Sequence, residues 1–182
     1  MPVDAAIVGP VPEGADPVTY DRLRRRVLWR LPTGLYVLGS RHGDQRNLMT
    51  CSLAMQLSVA PKIVGVSVDR SAVTWGLVHE GACFALSVLA RGDRELVRRF
   101  VKPAAHDAAA GTLAGVPYTD GPSTGAPVVG AAIAFLDCRV VEEVHLGSHT
   151  VFAGEVVDAG FAEGEEEAEV LRMEDTRMSY GG

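Results

Sequence analysis

The amino-acid sequence predicts a mainly β domain with flanking helices, built as a small closed antiparallel barrel. Three observations lead there. At least six segments read as strands, against two or three that read as helices. The helices do not alternate regularly with the strands, which argues against a doubly wound parallel sheet. Several strands, such as KIVGVSV (62–68) and VVGAAIAFL (128–136), are apolar on both faces. A barrel interior buries one such face, and helices or a second subunit cover the other.

Residues 1–15 hold Pro2, Pro10, Pro12 and Gly14 with little amphipathic pattern. They read as an N-terminal arm, leaving 16–182 as the domain. Asp16-Pro17 resembles an N-cap followed by proline at the first helical position, so a helix should run to about Trp29. TGLYVLGS (33–40) is strand-like, and the polar turn RHGDQRN (41–47) makes 34–40 and 47–53 a hairpin. PKIVGVSVD (61–69) is a further strand. SAVTWGLVHEG (71–81) is a short helix with Gly81 as its C′ residue. CFALSVL (83–89) is a strand, and GDRELVRRFV (92–101) an amphipathic helix capped by Asp93. Residues 103–127, rich in Ala, Gly and Pro, read as a long excursion over the surface. PVVGAAIAFLDCRVVEEV (127–144) is a long strand or a bent pair, and HTVFAGEVVDAGF (149–161) is the next strand. EGEEEAE (163–169) is a solvated loop or helix face.

Composition excludes several classes. With 47% apolar and 22% charged residues, 182 residues suffice for one domain with a real core. A net charge of −6 leaves no broad basic footprint, so nucleic acid is not an expected partner. The arginines of DRLRRRVLWR (21–30) alternate with Leu23, Val27 and Leu28, the pattern of a helix with a solvated basic face. No run of eighteen apolar residues exists to span a membrane. No basic stretch followed by an apolar one marks a signal peptide. Cys51, Cys83 and Cys138 are odd in number, and none lies in a CxxC pair. The expectation is a reduced, cytoplasmic chain with each thiol a small buried hydrophobe.

Common catalytic motifs are missing. There is no GxGxxG after a strand, no GxxxxGK[ST] and no GxSxG. His145 and His149 are four apart, but their setting is strand-turn-strand, where four residues span about 13 Å. No metal site is expected.

Three stretches carry a candidate site. LMTCSLAMQLS (48–58) begins like a strand and then fills with small and hydroxyl side chains. Extended backbone with small side chains lets a flat ligand approach the main chain, and the hydroxyls of Thr50 and Ser52 can bond its heteroatoms; an edge strand with ordinary serines is the plainer alternative. SVDRSAVTWG (67–76) puts Arg70 at a strand end and Ser71 at a helix start. Thr74 stands where a capping box would have Glu or Gln, which leaves room for a phosphate beside Arg70; a Ser71-capped helix is the alternative. In GSHTVFAGEV (147–156), His149 follows a turn and leads an apolar strand.

Taken together these stretches resemble the flavin reductase-like family, built on the FMN-binding split barrel. The resemblance covers roughly 25–182. It rests on PTGLYVLGS (32–40), NLMTCSLAMQLSVAPKIVGVSVDRSAVT (47–74), RRF (98–100), PVVGAAIAFLDCRV (127–140), GSHTVFAGEV (147–156) and the ending DTRMSYGG. It implies a homodimer holding FMN, or FAD through its FMN part, near the subunit interface. It places the flavin against Thr33, Met49, Thr50, Cys51, Ser52, Leu53 and Ala54, and the phosphate near Asp69, Arg70, Ser71 and Thr74. His149 matches a histidine at the nicotinamide side of the flavin. The implied activity is hydride transfer from NADH or NADPH to flavin, with reduced flavin available to a monooxygenase partner. An FMN-binding electron carrier fed by a protein partner shares every flavin contact and is the alternative; a flavin-independent interaction module is the third reading. The chain departs from the family at Ser148, where Asp is common, and at Leu53, Met55 and Leu57, which dilute the usual hydroxyl-rich run.

Overall fold

The computed structural model describes residues 9–176 and 178. The chain divides into two units, one of residues up to Pro32 with Met178, the other Thr33–Thr176. The first carries α1 (Pro17–Leu28), capped as its sequence predicts: Asp16 Oδ1 accepts the Thr19 amide at 2.9 Å and Pro17 opens the helix. No residue of α1 is buried, and Leu23, Val27 and Leu28 stay exposed.

The second unit is built on β1 (Tyr36–His42), β2 (Gln45–Cys51), β3 (Ala54–Val59), β4 (Lys62–Asp69), α2 (Val73–Gly81), β5 (Cys83–Val88), β6 (His106–Asp107), β7 (Thr112–Leu113), β8 (Val116–Asp120), β9 (Pro127–Val129), β10 (Ala134–Leu146) and β11 (His149–Phe161). Seven strands form one antiparallel sheet in the order β2-β1-β5-β10-β11-β4-β3. The mainly β class with two α-helices is as predicted. The closed barrel is not: this ladder ends in two free edges, β2 and β3. The reason lies in the chain. β2 ends at Cys51 and β3 begins at Ala54, so Ser52 and Leu53 alone carry the backbone from one edge to the other. A strand that crosses over within two residues cannot also pair with itself.

The sheet nonetheless curls. Leu38 of β1, Phe84 of β5, Phe152 of β11 and Val66 of β4 share one buried cluster, although three strands separate β1 from β4 in the sheet. Val78 of α2 joins that cluster, and Ala72 and Trp75 pack against it, so α2 covers one end of the curl.

Several local expectations fail for identifiable reasons. The helix over 92–101 is instead two short 3-10 turns, Arg91–Asp93 and Val97–Phe100. Val97 and Phe100, three apart, are fully buried while Val101 is exposed, and that spacing suits a tight 3-10 turn better than an α-helical stripe. The stretch 103–127 is not a bare excursion. It supplies most of a second sheet, β6-β7-β8-β9, whose Leu113, Val116, Val128 and Val129 are buried. The stretch 127–144 is the bent pair, β9 and β10. The left-handed residue ending α2 is Ala82 (φ 50), not Gly81. Gly81 is glycine because a Cβ there would sit 1.8 Å from the Arg41 carbonyl oxygen. Ser71 does not cap α2: the N-cap is Ala72, without a side-chain cap bond.

Candidate functional site

The flavin-facing run proposed from sequence straddles the break between the two edge strands. Met49 is half-buried in β2, Thr50 is fully buried, and the Thr50 hydroxyl donates to the Val97 carbonyl. Thr50 is therefore committed to the 3-10 turn beneath it. Cys51 and Ser52 are buried, Leu53 is 40% exposed and Ala54 is half-buried. The Leu53 carbonyl accepts the Ser67 amide at 2.9 Å, which ties the crossover to β4. Burial pushes the Cys51 thiol up to about 12, so it is neither a nucleophile nor a thiolate ligand. Thr33 is held by the C-terminal segment, its carbonyl accepting the Met173 amide at 3.1 Å.

The turn from β4 to α2 is polar and tightly wired. Asp69 Oδ1 accepts both the Ser71 amide at 2.8 Å and the Ser71 hydroxyl at 2.7 Å. Those two bonds hold the Asp69 carboxyl below its ordinary value, with smaller help from the charges of His149 and Arg70. Thr74 is buried, and its hydroxyl accepts from Asn47 Nδ2 at 2.8 Å. Asn47 in turn accepts the Ala104 amide at 2.8 Å through Oδ1. Thr74 thus anchors α2 to β2. Asn47 is a residue that sequence reasoning missed, since an asparagine next to a turn carries no sign of a buried role.

The ladder brings the third stretch to the same place. His149 opens β11 directly opposite Asp69. The Arg70 amide donates to the Ser148 carbonyl at 3.0 Å, and Arg70 Nη2 donates to the Gly147 carbonyl at 2.7 Å. Ser148 Oγ lies 2.9 Å from His149 Nδ1. Asp69, Arg70, Ser71, Ser148 and His149 therefore form one cluster at the uncapped N-terminus of α2. The sequence named four of these five as site residues but gave no sign that the 69–71 and 148–149 stretches adjoin.

An apolar cavity of about 690 Å³ opens between β3 and the inner face of the curl, lined by Tyr36, Ala54, Met55, Val64, Leu86 and Val156 among others. It lies toward Val64 on β4 and Val156 on β11, about 16 Å or more along those strands from Asp69 and His149. Asp137 is fully buried, but its carboxylate accepts the Ser123 and Thr124 amides, both at 2.9 Å, and the Thr124 hydroxyl. These three bonds make it the anchor of the 121–126 turn. Among the described residues no His, Cys, Asp or Glu cluster could hold a metal ion.

A family model described as "Flavin reductase like domain" matches residues 28–181. The chain belongs to that family. This flavin reductase like domain is 33% identical over 156 residues to an NADH-dependent FAD reductase of Streptomyces globisporus, covering 84% of this chain and 82% of that protein. It is 34% identical over 137 residues to a putative diflavin flavoprotein of Nostoc, but there it spans 72% of this chain and only 23% of the relative. Among solved structures, the NADH:FAD oxidoreductase of Streptomyces globisporus C-1027 in complex with NAD and FAD fragments superposes with a TM-score of 0.71 at 30% identity, over 88% of this chain and 92% of that one.

Proposed function

We propose that this flavin reductase like domain transfers hydride from NADH or NADPH to a flavin, with FMN bound and FAD accommodated through its FMN part. The observation that carries this reading is the cluster at the start of α2. The first amides of α2 lack a side-chain cap, and Arg70 stands just before them. Free amides at a positive helix end together with a guanidinium fit a phosphate. The Asp69 carboxylate beside it is ionised and turned toward Ser71 by two hydrogen bonds, and Arg70 is the cation next to both.

The crossover at Ser52-Leu53-Ala54 would receive the ring system, since the small side chains of Ser52 and Ala54 on either side of Leu53 leave the main chain approachable. Met49 and Cys51 would line that side through packing, while Thr50 and Thr74 support it from beneath. When bound, flavin accepts hydride at N5 from the nicotinamide C4. The protein need only hold the two rings together and donate hydrogen bonds as charge builds on the flavin. His149 is assigned to the nicotinamide side. The reading includes a homodimer, a cytoplasmic setting that suits three free buried thiols, and release of reduced flavin to a monooxygenase partner.

One observation favours a second reading. The chain spans under a quarter of the diflavin flavoprotein it resembles, so a domain of this kind also serves inside larger proteins. In that role it would be a flavin-binding electron carrier fed by a protein partner. An anaerobic spectrum separates the two. Bleaching of the visible flavin band by NADH or NADPH within seconds is the outcome expected of a reductase. Tight flavin that neither nucleotide bleaches would transfer the assignment to the carrier.

A further inference from the structure

The curl of the main sheet is filled unevenly. Phe84, Phe152, Leu38 and Val66 fill the part next to α2. Farther from α2 the walls carry shorter side chains: Ala54 of β3, Val88 of β5, and Val156 and Ala159 of β11. Leu136 and Leu86, paired across β10 and β5, line the same space. The shortfall in side-chain bulk leaves the cavity of about 690 Å³, within the roughly 300–1,000 Å³ of small-molecule pockets. Apolar walls left to water forgo the gain that burial brings, so an apolar body is favoured there.

Polar atoms are few on these walls. Among the lining side chains only Tyr36, Gln56 and Lys62 are polar, and none is acidic. The Tyr36 hydroxyl rests against Gly34, where a Cβ would lie 2.2 Å from it. Gln56 turns Nε2 back onto the Ser58 carbonyl at 3.0 Å. Lys62 is the one charged group. It pairs with Val59 across the β3–β4 turn, is exposed at the rim, and donates from Nζ to the Val59 carbonyl at 2.8 Å. An ammonium has three donors, so two remain. A cationic ligand would meet no counter-charge on these walls. A phosphorylated nucleotide would bring several charges and sugar hydroxyls to walls that cannot bond them. A single carboxylate on an apolar body matches one ammonium at the rim of an apolar cavity.

We propose that this cavity binds a hydrophobic monocarboxylate, with the apolar body between β3 and the inner face of the curl and the carboxylate at Lys62 Nζ. Fatty acids and aromatic acids share this chemistry. The site lies about 16 Å or more along β4 and β11 from Asp69 and His149, and its test needs neither flavin nor nucleotide.

The test titrates the full chain calorimetrically with naphthoate and with decanoate, which separate an aromatic from an aliphatic ligand. Naphthalenemethanol and naphthylmethylamine serve as the neutral and cationic counterparts. At least one of the two acids should bind to the wild type, and more tightly than naphthylmethylamine. Lys62→Ala should weaken the bound acid about threefold to fivefold, the worth of an exposed ion pair, and leave naphthalenemethanol unchanged. Val88→Phe and Ala159→Phe each put a ring into the cavity, and whichever stays folded by circular dichroism should lose the acid. Lys62→Ala, a change at an exposed side chain, keeps the proposal testable if neither filled variant folds. Binding that the filled variants retain would place the acid elsewhere and overturn the proposal. So would an acid that Lys62→Ala does not weaken. So would a wild type that binds neither acid; if light scattering shows that sample to be a dimer, the cavity belongs to the second copy.

Discussion

At the scale of single residues, the site depends on groups that each carry two duties. Arg70 faces the proposed phosphate position and also clamps the Gly147 carbonyl. Arg70→Ala should therefore weaken FMN more than riboflavin, since only FMN carries the charge; one lost charge-assisted contact is worth about 1.5–3 kcal/mol. Equal losses of affinity for the two flavins, measured by fluorescence titration, would refute a phosphate at this turn. The thiols make a second prediction. Burial pushes Cys51 and Cys138 from 9.0 up to about 12, so the folded chain holds protons that the unfolded chain releases. A raised value stabilises the fold fully below pH 9 and loses that contribution as pH climbs toward 12, by about 1.4 kcal/mol per pH unit per thiol. Denaturant melts at pH 8, 9, 10 and 11 should show this decline, and Cys51→Ala with Cys138→Ala should flatten it whatever the baseline stability. An equally steep decline in the double variant would assign it elsewhere. Residue types were readable here while their partners were not. Ser71 and Thr74 read as phosphate ligands, yet Ser71 bonds Asp69 and Thr74 faces Asn47, contacts that only the packing of α2 on β2 decides.

At the scale of elements, strands announced by apolar β-branched runs were legible, and elements built on unusual turns were not. The hairpin of β1 and β2 turns at Gly43-Asp44, with Gly43 at φ 55, a pair that sequence rules recognise. The hairpin of β7 and β8 turns at Ala114-Gly115, with φ 51 and 71. Both central residues need positive φ there, and Ala in place of Asn hides the signal that would have revealed the second sheet. An alanine in the left-handed region costs about 1–2 kcal/mol. Ala114→Asn should recover part of this, raising stability by about 0.5–1 kcal/mol with no change in flavin binding. A lower melting temperature would mean that the Ala114 methyl packs productively. The helix misread over 92–101 has the same character: Val97, Phe100 and Val101 are alike apolar in the sequence, and only the burial of the first two with Val101 left exposed marks the tighter turn.

At the scale of the whole molecule, the strands that read as apolar on both faces predicted an uncovered surface, but not which surface. KIVGVSV, now in β4, is mostly buried, with β3 and β11 on either side. A run of exposed apolar side chains lies instead along β3 and the residue before it, where Leu53, Met55, Leu57 and Val59 are 40%, 66%, 47% and 69% exposed. These include the three residues that depart from the family's hydroxyl-rich run. β3 is also a free sheet edge, with one row of backbone groups unpaired in the ladder. A flat apolar edge left open would recruit any passing strand, and natural proteins cover or charge such edges. No charged residue interrupts β3. A second copy meeting it about a twofold axis would cover both edges at once, next to the crossover proposed to hold the flavin. We therefore expect a homodimer in solution, with Met55→Lys shifting it to monomer and lowering flavin affinity while the sheet itself stays folded by circular dichroism. Light scattering decides the matter. A 19.3 kDa wild-type species at micromolar concentration with full flavin affinity would exclude a shared site. A Met55→Lys dimer as tight as wild type would move the interface away from β3.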